Sequence, residues 1–160
     1  MKPLSSLIKE KKFDYVNSHI TDDLFLIPEK ISSDYKLFYF NRSISSEEAI
    51  KEMKAAGYLP ANAWELLSWK EWNEEDLVVA LGSVGKVGGD RLVPYLGRRD
   101  SERYLNLYWW DSDWNADCRF LGVRDSSLST SKPKKSALGA SDTLTLPAEL
   151  IINGITYVKK

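Results

Sequence analysis

The chain has one cysteine, Cys118, and one histidine, His19, among 160 residues. A lone cysteine forbids an internal disulfide and suits a reducing compartment or a virion. With a single imidazole beside it, too few nitrogen and sulfur ligands remain for a zinc site. Nucleophilic catalysis is equally short of parts, since His19 is the sole imidazole and no G-x-S-x-G occurs. No stretch approaches the ~20 apolar residues of a membrane helix. The opening MKPLSSLIKEKKF lacks the continuous apolar core of a secretory leader. Charge is also scarce in net terms, with 22 basic against 23 acidic residues. No field therefore favours nucleic acid or an anionic membrane. These absences predict a soluble, non-enzymatic protein, cytoplasmic or virion-associated, with no metal, cofactor, nucleic-acid or membrane partner.

What is present suits one domain with a real core. Leu4, Leu7 and Ile8 suggest a short helical turn, and Leu24 to Ile27 a buried strand closed by Pro28. KLFYF at 36–40 reads as a strand. It leads to the clearest helix in the chain, with Ser45 and Glu48 as a capping box, Ile44 stapling onto Ala49, and Gly57 as terminator. A second helix is expected within 58–72, where Pro60 precedes an Asn62/Glu65 box. LVVALGS from Leu77 is consistent with a central strand covered on both faces. Gly85, Gly88 and Gly89 lack the lysine and following helix of a phosphate loop, so GKVGGDR is expected to be a hairpin. Pro94 within RLVPYL demotes that run to an edge strand or bulge. Beyond Arg124 the Ser/Lys/Gly-rich 125–142 reads as a flexible linker. Asn153-Gly154 then marks a C-terminal hairpin in 143–160.

The chain is organised around 104–124, YLNLYWWDSDWNADCRFLGVR, read as two strands joined by an exposed tip. Leu105, Leu107 and Trp109 alternate with Tyr104, Asn106, Tyr108 and Trp110. Tyr104, Trp109 and Phe120 are assigned to the core, and Tyr108, Trp110 and Trp114 to a partly exposed surface. The candidate ligand-binding residues are Asn106, Tyr108, Trp110, Asp111, Ser112, Asp113, Trp114, Asn115 and Asp117. Aromatic and short polar side chains give contact area and adaptable hydrogen bonds at low entropic cost. Asp111, Asp113, Asn115 and Asp117 alternate like oxygen ligands, but the glycine and terminal glutamate of an EF-hand loop are absent, and no metal is assigned.

Strand, helix, GYLPANAWELLSW, then strands ending in CRFLGVR: this order resembles the C-type lectin-like fold in its disulfide-free prokaryotic form. That form includes the sulfatase-modifying (formylglycine-generating) family and the variable proteins of diversity-generating retroelements. Their G-[WY]-R-L-P-T-x-x-E-[WL] segment is echoed by Gly57, Tyr58, Leu59, Pro60, Ala61 and Glu65, without the arginine and threonine. Their R-F-x-x-V-R ending is echoed by Arg119, Phe120, Val123 and Arg124. The resemblance covers 36–124. It implies an α+β domain over 1–124, two helices packed on a small mixed or antiparallel sheet, and a last hairpin that carries the ligand-facing side chains. In retroelement variable proteins such a hairpin is diversified toward Asn, Tyr, Asp and Ser, the residue types of the tip here. The sulfatase-modifying chemistry needs a cysteine pair, which this chain lacks.

The expected function is therefore recognition of a protein or glycan ligand through 106–117. The alternative is a structural or regulatory protein of a bacterium or phage that recruits a partner through its C-terminal hairpin, without catalysis. A calcium-dependent sugar site would need an E-P-N or Q-P-D element beside Trp114-Asn115, and none is present.

Overall fold

The structure, a computed structural model, describes residues 1–125. The hairpin expected over 143–160 lies outside the described residues, as does the linker expected over 125–142 apart from Asp125. The described chain is α+β, with three helices and a mixed sheet. Helix α1 (Leu4–Lys11) is followed by β1 (Tyr15–Val16), β2 (Tyr35–Tyr39), β3 (Ile44–Ser45), α2 (Ser46–Ala55), β4 (Tyr58–Pro60) and α3 (Ala63–Ser68). Strands β5 (Val78–Val79), β6 (Gly85–Val87), β7 (Asp90–Arg99), β8 (Glu102–Trp109), β9 (Asp113–Trp114) and β10 (Arg119–Arg124) complete it. The large sheet runs β1-β8-β7-β5-β10-β2, with β4 added to β10 and β6 to β7; β3 and β9 form a separate pair.

Local signals in the sequence set both internal helices. Ser45 Oγ accepts from Glu48 N, and the Glu48 carboxylate accepts from Ser45 N, so the capping box at α2 is complete. Gly57 follows at φ 88°, the left-handed turn that ends the helix. At α3, Asn62 Oδ1 accepts from Glu65 N at 2.8 Å while Glu65 Oε1 accepts from Asn62 N at 2.9 Å. This helix starts at its Asn62 cap and is only six residues long, because Trp69 leaves it in extended backbone (φ −71°, ψ 130°). The Gly88-Gly89 turn, both residues at positive φ, joins β6 to β7 as the glycine pattern predicts.

The sheet carries an apolar cluster on each face. On one face Leu4 of α1 and Trp64 and Leu66 of α3 join Val78, Leu96, Leu105, Leu121 and Val123. On the other Met53 of α2 joins Phe38, Val79, Val93, Trp114 and Phe120. Alternation along β10 sends Phe120 to one cluster and Leu121 to the other. Arg103 ties α1 to the sheet: its Nη1 donates to the carbonyls of Lys11 and Lys12 at the helix end, and its guanidinium lies between the rings of Phe13 and Trp72.

Four expectations are corrected. Two helices were expected and α1 makes a third, on a sheet larger than anticipated. Leu24 to Ile27 is not a strand: Phe25 is buried and Leu24 packs on the same cluster, but Leu26 is 93% exposed, and among the described residues the run pairs with no strand. Pro94 sits inside a ten-residue strand flanked on both sides rather than on an edge. Its carbonyl accepts from Ala80 N, so its missing N–H would have faced the gap where β7 changes partner from β6 to β5. No ladder bond is lost there.

The fourth correction concerns 104–124, which is not a hairpin. A two-residue turn at Asp100 and Ser101 gives one edge of β8 to β7, and parallel β1 takes the other. β10 is already filled by β2 on one side and by β4 and β5 on the other. Residues 110–118 therefore cross the end of the sheet, about 14 Å over three strand spacings.

Glu65 supplies a pH test of this core. Its carboxyl is buried, bonds Asn62 N and Ser32 N, and is held above the usual carboxylate range by burial, which those two bonds oppose. Tyr35 nearby is pushed up to about 12, by burial first and by Glu65 second. A folded-state pKa above the unfolded one adds stability at low pH that is lost as pH rises through the folded value. The advantage of wild type over Glu65→Gln in urea unfolding should be largest below about pH 4.3 and shrink above it. An advantage that grows with pH would contradict this.

Candidate functional site

Segment 110–118 is pinned by one buried hydroxyl. Ser46, the first residue of α2, donates from Oγ to the Trp110 carbonyl at 2.8 Å and accepts from Trp114 Nε1 at 2.9 Å. The β3–β9 ladder, Ile44 with Trp114 and Ser45 with Asp113, fixes the same segment from the backbone. Trp114 is thus core, 3% exposed, with Phe120 edge-on to it. This overturns its assignment to the surface. A tryptophan in a polar run is buried here because its N–H finds a partner.

Trp109 is corrected in the opposite direction. It shares a face with Leu105 and Leu107, as alternation predicts, but it ends the strand outside the apolar cluster that holds them and is 49% exposed. Tyr104 is half-buried rather than core. Its ring lies on Gly97, where a Cβ would come within 2.5 Å of it. Tyr108 is 39% exposed and leans on Trp109 and Trp114, each with ring centroids at 5.3 Å.

The other candidates divide by employment. Trp110 is half-buried beneath the Arg91 guanidinium, which also pairs with exposed Asp111. Asn106 is engaged internally: its Oδ1 accepts from Asn17 Nδ2 at 2.9 Å and from Leu107 N at 2.8 Å. Asn115 is exposed yet closes a turn, its Oδ1 accepting from Asp117 N at 3.0 Å. Ser112 begins the crossing with its N–H on the Trp109 carbonyl. Asp113 and Asp117 are exposed, and their carboxylates border the segment. Sequence reasoning missed Tyr95 and Tyr15. Tyr95 meets both Tyr104 and Tyr108 edge-on, at 6.0 and 6.4 Å, and Tyr15 is paired in register with Tyr104. Only the strand order reveals that these tyrosines share one end of the sheet.

Two titratable groups here are shifted by burial. Burial raises the Cys118 thiol, the opposite of an activated nucleophile. Burial also raises the Tyr95 phenol, with Tyr104 adding to the shift and a side-chain bond from Asn106 opposing it. Among the described residues no group of three or more His, Cys, Asp or Glu side chains is arranged to hold a metal ion. No helix among them is long and apolar enough to cross a membrane.

Ser46→Ala should cost roughly 1–3 kcal/mol in chemical denaturation, because it leaves the Trp110 carbonyl and the Trp114 N–H unpaired in the interior. Replacing Ser112 and Asp113 with alanine should cost under about 1 kcal/mol. Equal costs would show that the hydroxyl does not anchor the segment. The chain matches no family model, no curated protein and no solved structure.

Proposed function

We propose that this chain is a non-catalytic recognition module that binds a protein or glycan ligand through the surface around Tyr108, Trp109 and the 110–117 segment. The observation that carries the reading is the exposure of Tyr108 and Trp109 at the end of β8, where both residues are paired in register with β7. Rings on a rigid strand lose little conformational entropy on contact, and they are the side chains most enriched at binding hot spots. The Ser46 anchor holds the adjoining segment in one arrangement, which lowers the ordering cost of binding further.

We also infer a C-type lectin-like architecture of the retroelement variable-protein kind. Three features support it. The last described strand, β10, runs antiparallel to β2; two capped helices lie between β2 and β5; and the β6–β7–β8 meander is inserted before the chain returns to β10. The segment between β8 and β10 then carries the Asp, Ser and Asn residues that such proteins diversify. A reverse-transcriptase gene with a near-repeat of the 104–124 codons in the flanking DNA would bear this out.

The test is a double substitution, Tyr108→Ala with Trp109→Ala. Binding of the full chain should be measured by biolayer interferometry against immobilised bacterial-envelope proteins and oligosaccharides. Wild type should retain a specific ligand, and the double variant should lose at least about tenfold in affinity, the loss of one hot-spot contact. The melting temperature should hardly move. A variant that binds as wild type does, or one that unfolds, would overturn the assignment.

A further inference from the structure

β2 ends the large sheet, and among the described residues its outer side has no strand beside it. Natural edge strands are blunted by brevity, bulges, proline or outward charges. β2 has five residues, no proline and one lysine, Lys36, whose ammonium is turned onto the rings of Phe38 and Tyr58. Leu37 and Tyr39 are 37% and 47% exposed along it.

The backbone shows which groups have no partner among the described residues. The Asp34 carbonyl accepts from Arg124 N, so position 34 faces β10. By alternation positions 36 and 38 face β10 as well, and the N–H and C=O of Tyr35, Leu37 and Tyr39 point outward. The strand reads Tyr-Lys-Leu-Phe-Tyr, with an aromatic residue at both ends and an aliphatic one in the middle.

We propose that two copies of this chain pair through β2, antiparallel, about a two-fold axis at Leu37. This register sets Leu37 against its own copy and Tyr35 against the partner's Tyr39. The positions brought opposite are the ones whose backbone groups face outward, so each pair exchanges two hydrogen bonds and continues the sheet. A register shifted by one residue would oppose inward-facing groups and lose the ladder. On one face tyrosine meets tyrosine and leucine meets leucine, which are favourable cross-strand pairs. On the other, Lys36 meets a second Phe38.

The consequence is bivalency. β8, with Tyr108 and Trp109, lies four strand spacings from β2, about 19 Å. Pairing at β2 leaves both recognition surfaces free at opposite ends of one continuous sheet, and linked sites bind a repetitive target far more tightly than single ones.

Sedimentation velocity of the full 18.2 kDa chain over a range of concentrations tests this. Wild type should sediment as a dimer. Leu37→Lys and Leu37→Glu, which place like charges across the axis, should each sediment as folded monomers by circular dichroism. Their equimolar mixture should regain the dimer, because Lys then faces Glu. A wild type that is monomeric at every concentration overturns the proposal. So does a dimer that persists in both variants, or a mixture that stays monomeric.

Discussion

β10 is the strand on which the other layers depend. It is bonded to β2 on one side and to β4 and β5 on the other, so no backbone edge of it remains for solvent. All its side chains between the terminal arginines are buried, and they supply both apolar clusters. Gly122 is required on the α2 side, where a Cβ would come within 2.9 Å of the Phe38 ring. Arg119 and Arg124 lie at its ends, against Tyr39 and Asp76, and against Tyr58 and Asp34. A strand filled in this way cannot pair with β8, and the route of 110–118 across the sheet end follows from that exclusion.

That route accounts for the candidate surface. A crossing segment has few backbone partners of its own and would be mobile without an anchor. Ser46 supplies one by satisfying a carbonyl and an indole N–H with one hydroxyl. The cost of burying those groups is offset only while all three remain, so the segment holds one conformation. Trp114 is spent on this anchor and on the core, which leaves Tyr108 and Trp109 as the exposed rings of the 104–124 stretch.

The parts of the fold legible in the sequence were the local ones. Ser45 with Glu48, Asn62 with Glu65, Gly57 and Gly88-Gly89 each act within a few residues, and their chemistry does not depend on what packs above them. Strand faces were legible as well: Leu105 and Leu107 point inward as their alternation says. Strand partners were not, because a period of two gives the face of a strand and not its neighbour. Hence 104–124 read as a hairpin, Pro94 as an edge marker and Leu24 to Ile27 as a strand. The tryptophans mark the same boundary. Trp109 shares the register of Leu105 and Leu107, but it lies outside their apolar cluster; Trp114 lies among polar residues, but Ser46, distant in sequence, receives its N–H. Composition singles out the candidate surface, while the tyrosines beside it on β1 and β7 depend on parallel and antiparallel pairings that no local pattern encodes.

The central claim is that the crossing segment buries Trp114 and presents Trp109. Labelling the six tryptophans with 5-fluorotryptophan and titrating a soluble paramagnetic quencher tests it most directly, with resonances assigned by single substitution. The account predicts that the Trp109 signal broadens first and strongly, Trp110 less, and Trp114 hardly at all. A Trp114 resonance as accessible as that of Trp109 would contradict it.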